Sequence, residues 1–190
     1  MAAGPANGAL GLTFTVMRGM QFLALIIIIG LSAAFASDIV GSHYDAPSAL
    51  IGTLVVACLT VVYIIISYIL YWDSMLPLLI ATAADCMCLI AGIVVASVVG
   101  KPVSYLSCSS FPAQGNTANF LHSLFVNVQR LSDNTYAWVD PSKGSCLQLK
   151  VIWGLSICLC VLFTLSAATT AFLWRSIKIV NAPRPGKDLE

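Results

Sequence analysis

Asp85 is the one acid or base that falls well inside a long apolar run of this 190-residue chain, in the segment Ala81-Thr82-Ala83-Ala84-Asp85. A carboxylate in such surroundings is costly unless it is protonated, hydrogen-bonded or paired. Inside a bilayer an ionisable side chain is a functional candidate by default. Two chemistries suit it: a relay that carries protons or ions, or an internal fastening between helices. A relay needs several polar groups in series, and the apolar runs hold few. The reading adopted is the fastening, with a small transporter or channel subunit that uses Asp85 as the alternative. Its expected partners are Arg18, Ser67 or Tyr68. If hydrogen bonding is all that Asp85 supplies, Asp85→Asn leaves the fold mostly intact.

The remaining reactive side chains make no catalytic set. Cys86-Met87-Cys88 and Cys158-Leu159-Cys160 are C-x-C pairs, not the C-x-x-C of a thiol oxidoreductase. Neighbours two apart on a helix point in different directions, so these cysteines read as small apolar fillers. His43 and His122 stand far apart without a carboxylate cluster, which falls short of a metal-ligand set. No Gly-rich phosphate loop, nucleophile elbow or N-x-[ST] sequon occurs. No catalytic residue, cofactor, metal or nucleic-acid partner is expected.

The elements that carry Asp85 follow from composition. The chain is 59% hydrophobic and 9% charged, with a mean hydropathy of +0.93, against about 25% charged residues in soluble domains. The apolar residues gather in segments 20–36, 50–71, 76–99 and 151–174. About 20 apolar residues suffice to cross the hydrocarbon core as a helix, and lipid requires each backbone polar group to bond within the chain. The expected fold is therefore an all-α membrane protein, a four-helix transmembrane bundle with a long exoplasmic loop between the third and fourth spans. The first span is read as a retained helix, since only Arg18 precedes it and three more spans follow. Residues 1–17 and 176–190 form tails around a domain at 18–175. Asp45-Ala46-Pro47 and Asp73-Ser74 with Pro77 are the expected helix starts before spans two and three. The short link between those two spans predicts a tight antiparallel hairpin.

Lys and Arg near the span ends set the orientation. Termini on the cytoplasmic side place Arg18, Arg175, Lys178, Arg184 and Lys187 there, with Arg18 and Arg175 at the membrane boundary. The opposite face holds Lys101, Arg130, Lys143 and Lys150. The margin is narrow, and it favours both termini inside. The basic tail offers a weak attraction to anionic lipids.

The long loop, 100–150, carries Cys108 near its start and Cys146 near its end. On an oxidising side they are a candidate disulfide, the alternative being two free thiols. Phe120, Leu121, Leu124, Phe125, Val128 and Leu131 recur at helical spacing, opposite Asn119, His122, Ser123, Asn127 and Arg130. That pattern predicts an amphipathic helix lying on the bundle or on the headgroups. Gly92, Ala96 and Gly100, and likewise Gly30 and Ala34, repeat at four-residue spacing and let helix backbones approach closely. Packing within the chain is the simpler use of that surface, and homo-oligomerisation or contact with other membrane proteins uses the same chemistry. Membrane lipids are the other expected partners.

Taken together, Arg18-Gly19-Met20-Gln21-Phe22 opening span one, the short first loop, the nearly absent second one, Asp85 in span three and the Cys108/Cys146 pair resemble the MARVEL-domain proteins. The likeness is greatest to the fungal tetraspan proteins of eisosomes and non-classical export, and it runs from Arg18 to about Arg175. Tetraspanins carry a Cys-Cys-Gly in the large loop and claudins a signature in a long first loop, and neither is present. The resemblance implies a non-enzymatic role in membrane apposition, vesicle trafficking or the organisation of plasma-membrane microdomains.

Overall fold

A computed structural model of the chain describes residues 9–43, 47–72, 78–104, 106–129 and 140–180. These residues form five α-helices: α1 (Ala9–Gly41), α2 (Ser48–Trp72), α3 (Leu78–Val103), α4 (Thr117–Gln129) and α5 (Lys143–Val180), with a 3₁₀ turn at Cys108–Ser110. Four of them, α1, α2, α3 and α5, are long and apolar enough to cross a membrane. The chain is an all-helical four-span bundle. α1, α2 and α5 outrun their apolar blocks at both ends and α3 outruns its block at its C-terminal end, and α1 already begins at Ala9, within the segment expected as a tail. Leu10, Leu12, Phe14 and Val16 continue the apolar character ahead of Arg18, so one charge does not stop the helix. The starts expected at Asp45-Ala46 and at Asp73-Ser74-Pro77 lie outside the described residues. Pro47 directly precedes α2, and its carbonyl accepts from the Leu50 and Ile51 amides at 2.9 and 3.2 Å.

The helices meet along a repeat that mean hydropathy conceals. The buried positions of α1 run Phe14, Arg18, Gln21, Leu25, Ile28, Ser32, Phe35 and Ile39, alternately four and three apart, with Ala24 buried beside this row. On α2 they are Leu50, Thr53, Ala57, Thr60, Ile64 and Ser67, in the same rhythm. On α5, after Ser145 and Cys146 in the first turn, they are Leu149, Ile152, Ser156, Leu159, Phe163, Ser166 and Thr170. A mean spacing of 3.5 keeps one seam of each helix turned inward and is the geometry of left-handed bundles. Small and hydroxylic residues occupy much of the seam, while Leu, Ile and Val cover the outside: Leu23, Leu59, Ile90 and Val161 are all exposed. The polarity is inverted relative to a soluble bundle, because the outside faces hydrocarbon.

Helix α3 packs mainly on α5, and α1 packs on both α2 and α5. The expected α2–α3 hairpin exists in connection, but those two helices touch little. A physical reason is the α3–α5 seam. Gly100 lets Trp153 approach so closely that an added Cβ would stand 2.6 Å from its Nε1, and one added at Gly92 would stand 3.3 Å from Cys160 Sγ. The four-residue stripe on α3 thus serves contacts within the chain, with Ala96 half-buried between the two glycines. Gly30 on α1 has nothing within 4 Å of its added Cβ, so that stripe is not used inside the bundle.

At the end of the bundle away from the chain termini, Cys108 and Cys146 form a disulfide with a Cα–Cα distance of 5.7 Å. Asn116 caps α4 by accepting the Ala118 and Asn119 amides at 3.0 and 3.2 Å. Helix α4 lies on the bundle, against α1 and α3, and inserts Phe120, Leu121 and Leu124 into a core shared with Phe35, Ile39, Val99 and Val103. The side chains of Asn127 and Val128, with Arg130 and Leu131, lie outside the described residues.

Candidate functional site: a polar clasp between four helices

Asp85 and Arg18 are fully buried, at 0% and 1% exposure, and pair at 2.9 Å from Arg18 Nη2 to Asp85 Oδ1. The same nitrogen donates to Asp85 Oδ2 at 3.1 Å. Tyr63 on α2 donates its hydroxyl proton to Oδ1 at 2.7 Å, while its oxygen accepts from Arg18 Nη2 at 3.1 Å. Ser166 on α5 donates to Oδ2 at 2.8 Å. One carboxylate therefore collects donors from α1, α2 and α5, and every span contributes one side chain to the cluster.

Arg18 is held from its other sides as well. Its Nη1 donates to Gln21 Oε1 at 3.0 Å. The guanidinium carbon stands 5.1 Å from the centre of the Phe14 ring and 5.2 Å from that of Tyr63, within the range of cation–π attraction. Phe14 in turn stacks on Tyr71, with centroids 4.7 Å apart. One helical turn nearer the termini, Thr82 and Thr170 join α3 to α5 at 3.0 Å. Among the described residues, Arg18 Nε, Gln21 Nε2 and Ser32 Oγ are buried without a hydrogen-bond partner.

The clasp is asymmetric along the bundle. Ser166 lies nine residues from Arg175 and Asp85 sixteen from Lys101, about 13 and 24 Å at 1.5 Å per residue. Toward the termini the seam stays hydroxylic, with Ser67, Thr82 and Thr170. Toward the disulfide Thr60, Thr53, Ser156 and Ser32 are buried in the same seam, the first three bonded to carbonyls of their own helices, and α4 and Phe35 fill the end.

Several expectations change here. Arg18, expected at the membrane boundary, lies inside the bundle, because its charge is matched by Asp85 and its guanidinium lies over two rings. Arg175 is exposed on α5. Ser67 is not a partner of Asp85: its hydroxyl donates to the Ile64 carbonyl at 2.9 Å. Tyr68 points outward, 36% exposed, and Tyr63 takes the role instead. The cysteines are not buried fillers, for Cys58, Cys86 and Cys158 are exposed on the outer face and only Cys88 and Cys160 are half-buried. His43 and His122 stay on separate elements, and among the described residues no group of three His, Cys, Asp or Glu is placed to hold a metal ion.

Sequence reasoning missed Tyr63 and Ser166. The signal that finds them is the inward seam: Tyr63 adjoins the Thr60–Ile64–Ser67 row, and Ser166 shares the row of Ser156, Phe163 and Thr170. Fold and site together define a four-span helical bundle tied by a buried ion pair and closed at one end by a disulfide-linked loop. Comparison with known protein families, curated proteins and solved structures finds no match to this chain.

Proposed function

We propose that this chain is a non-enzymatic tetraspan organiser of the bilayer. On this reading it is MARVEL-like, resides in the plasma membrane with both termini cytoplasmic, and acts in microdomains or in membrane apposition and vesicle trafficking. The observation that supports it is the saturation of Asp85. Its two oxygens accept from Arg18, Tyr63 and Ser166 inside the bundle. A carrier carboxylate must exchange partners with water or a second titratable group on each side, and this one is surrounded by permanent donors. Such a clasp suits a rigid body whose work is done on its outer, lipid-facing surface.

Reconstitution in phosphatidylcholine liposomes with an internal pH dye tests the choice against transport. Proton flux should equal that of empty liposomes for wild type and for Asp85→Asn. An Asp85-dependent flux would replace this reading with the transporter. In cells, the tagged chain should gather in long-lived plasma-membrane patches, and uniform rapid diffusion there would count against organisation.

A further inference from the structure

Between α2 and α3 the bundle is open to its surroundings. A groove of about 310 Å³ runs down its outer surface in the half nearer the disulfide, lined by Ala49, Gly52, Val56, Ala91, Val94 and Val98. Behind it lies a cavity of about 30 Å³ inside the bundle, reaching Leu25, Gly92, Leu159 and Phe163. Thr53, Val56 and Val95 border both spaces, so the groove leads inward past these three side chains.

We propose that this cleft is a lipid site that takes one acyl chain of a phospholipid from the leaflet at the disulfide end. Three observations carry the assignment. The groove lies between two membrane-crossing helices that pack little on each other, so the medium at its mouth is hydrocarbon. Its walls are glycine, alanine and valine, apart from Thr53. The hydroxyls that border the spaces have spent their protons: Thr53 donates to the Ala49 carbonyl at 2.8 Å, Thr60 to Val56 at 2.7 Å and Ser156 to Ile152 at 2.8 Å. Each of these hydroxyls is already bonded within its own helix, so none requires a partner from the occupant of the cleft. A hydrocarbon chain needs none.

Register agrees with this. From Val98 to Ala91 the groove descends seven residues, about 10 Å toward the middle of the bilayer, the direction in which an acyl chain runs from its headgroup. The inner cavity admits the end of a chain and no headgroup. The site is separate from the Asp85 clasp and does not depend on the organising role.

The test uses the full chain in phosphatidylcholine vesicles that contain a small fraction of phosphatidylcholine with a diazirine at the acyl terminus. After irradiation, adducts are mapped by peptide mass spectrometry. Label is expected on the inward residues Leu159 and Phe163 as well as on outward ones such as Ile90. Gly52→Leu should plug the mouth without strain, since nothing stands within 4 Å of the added Cβ. The side chain it introduces fills the space the acyl chain would take, and inward labelling should fall by roughly tenfold or more. Ala91→Leu plugs the opposite wall and should do the same, with the thermal transition and the disulfide checking that each variant folds. Label confined to outward residues in the wild type overturns the site. So does inward label that survives both plugs, or a cross-linked second copy of the chain seated in the groove.

Discussion

Arg18 and Asp85 are worth more to this molecule as a pair than either charge is alone. A buried ion pair weighs strong attraction against the desolvation of both partners, and removing one partner leaves the other uncompensated. The sequence by itself allowed Asp85→Asn to be mild. With Arg18 enclosed at 1% exposure, the expected outcome is a loss of about 3–5 kcal/mol, read as a lowered thermal transition in detergent. Arg18→Gln combined with Asp85→Asn should recover most of that loss, and equal damage in the double variant would show that the charges act independently. Tyr63→Phe keeps the ion pair and removes one donor to the carboxylate. Its cost should be about 1 kcal/mol, in the range measured for hydrogen bonds between membrane helices. Asp85 stood out in the sequence because it is the lone charge in its run. Tyr63 and Ser166 did not, since hydroxyls are common in apolar helices and only the three-dimensional seam selects two of them.

At the level of helices, glycines with the same spacing have opposite roles. An added Cβ at Gly100 meets the Trp153 indole at 2.6 Å, whereas at Gly30 it meets nothing. Gly100→Ala should therefore force α3 and α5 apart and cost about 1–3 kcal/mol. Gly30→Ala should be neutral or stabilising by up to about 1 kcal/mol, the helix-propensity difference. Paired thermal melts of the two variants check this, and similar shifts for both would contradict the assignment of α3 to the internal seam. His43, just past the end of α1, has φ 61°, a left-handed conformation that glycine adopts without penalty. His43→Gly should raise stability by about 0.5–1 kcal/mol, the left-handed penalty of about 1–2 kcal/mol less the entropy glycine loses on folding. Helix existence and number were legible from the apolar runs. Which face of each helix turns inward was not, because lipid-facing side chains are as apolar as the core and no hydrophobic contrast marks the boundary.

For the molecule as a whole, the disulfide and α4 make one end a closed cap. The bridge spans a sequence separation of 38 residues, which the chain-entropy model values at about 4 kcal/mol. Cys146→Ser should lower the thermal transition accordingly and loosen the cap. Gly115 belongs to the same cap, where an added Cβ would stand 2.6 Å from the Asp140 carbonyl. An impermeant maleimide applied to intact cells reports both the bridge and the side it faces. Labelling of Cys108 and Cys146 only after mild reduction supports the proposed orientation, and their silence from outside even after reduction would reverse it.

The four crossings and the lone carboxylate are written in composition and run length, because a 30 Å hydrocarbon layer imposes its thickness on any helix that spans it. The Cys108–Cys146 pairing was readable as a candidate from its place around the loop. Tertiary structure alone decided that Arg18 lies inside the bundle, that Tyr63 and Ser166 complete the clasp, that α3 prefers α5 over its hairpin neighbour, and that a cleft opens between α2 and α3. Each of those depends on how side chains of particular size meet across helices distant in sequence, and in a chain that is apolar on every face, steric fit rather than hydrophobic contrast makes that choice.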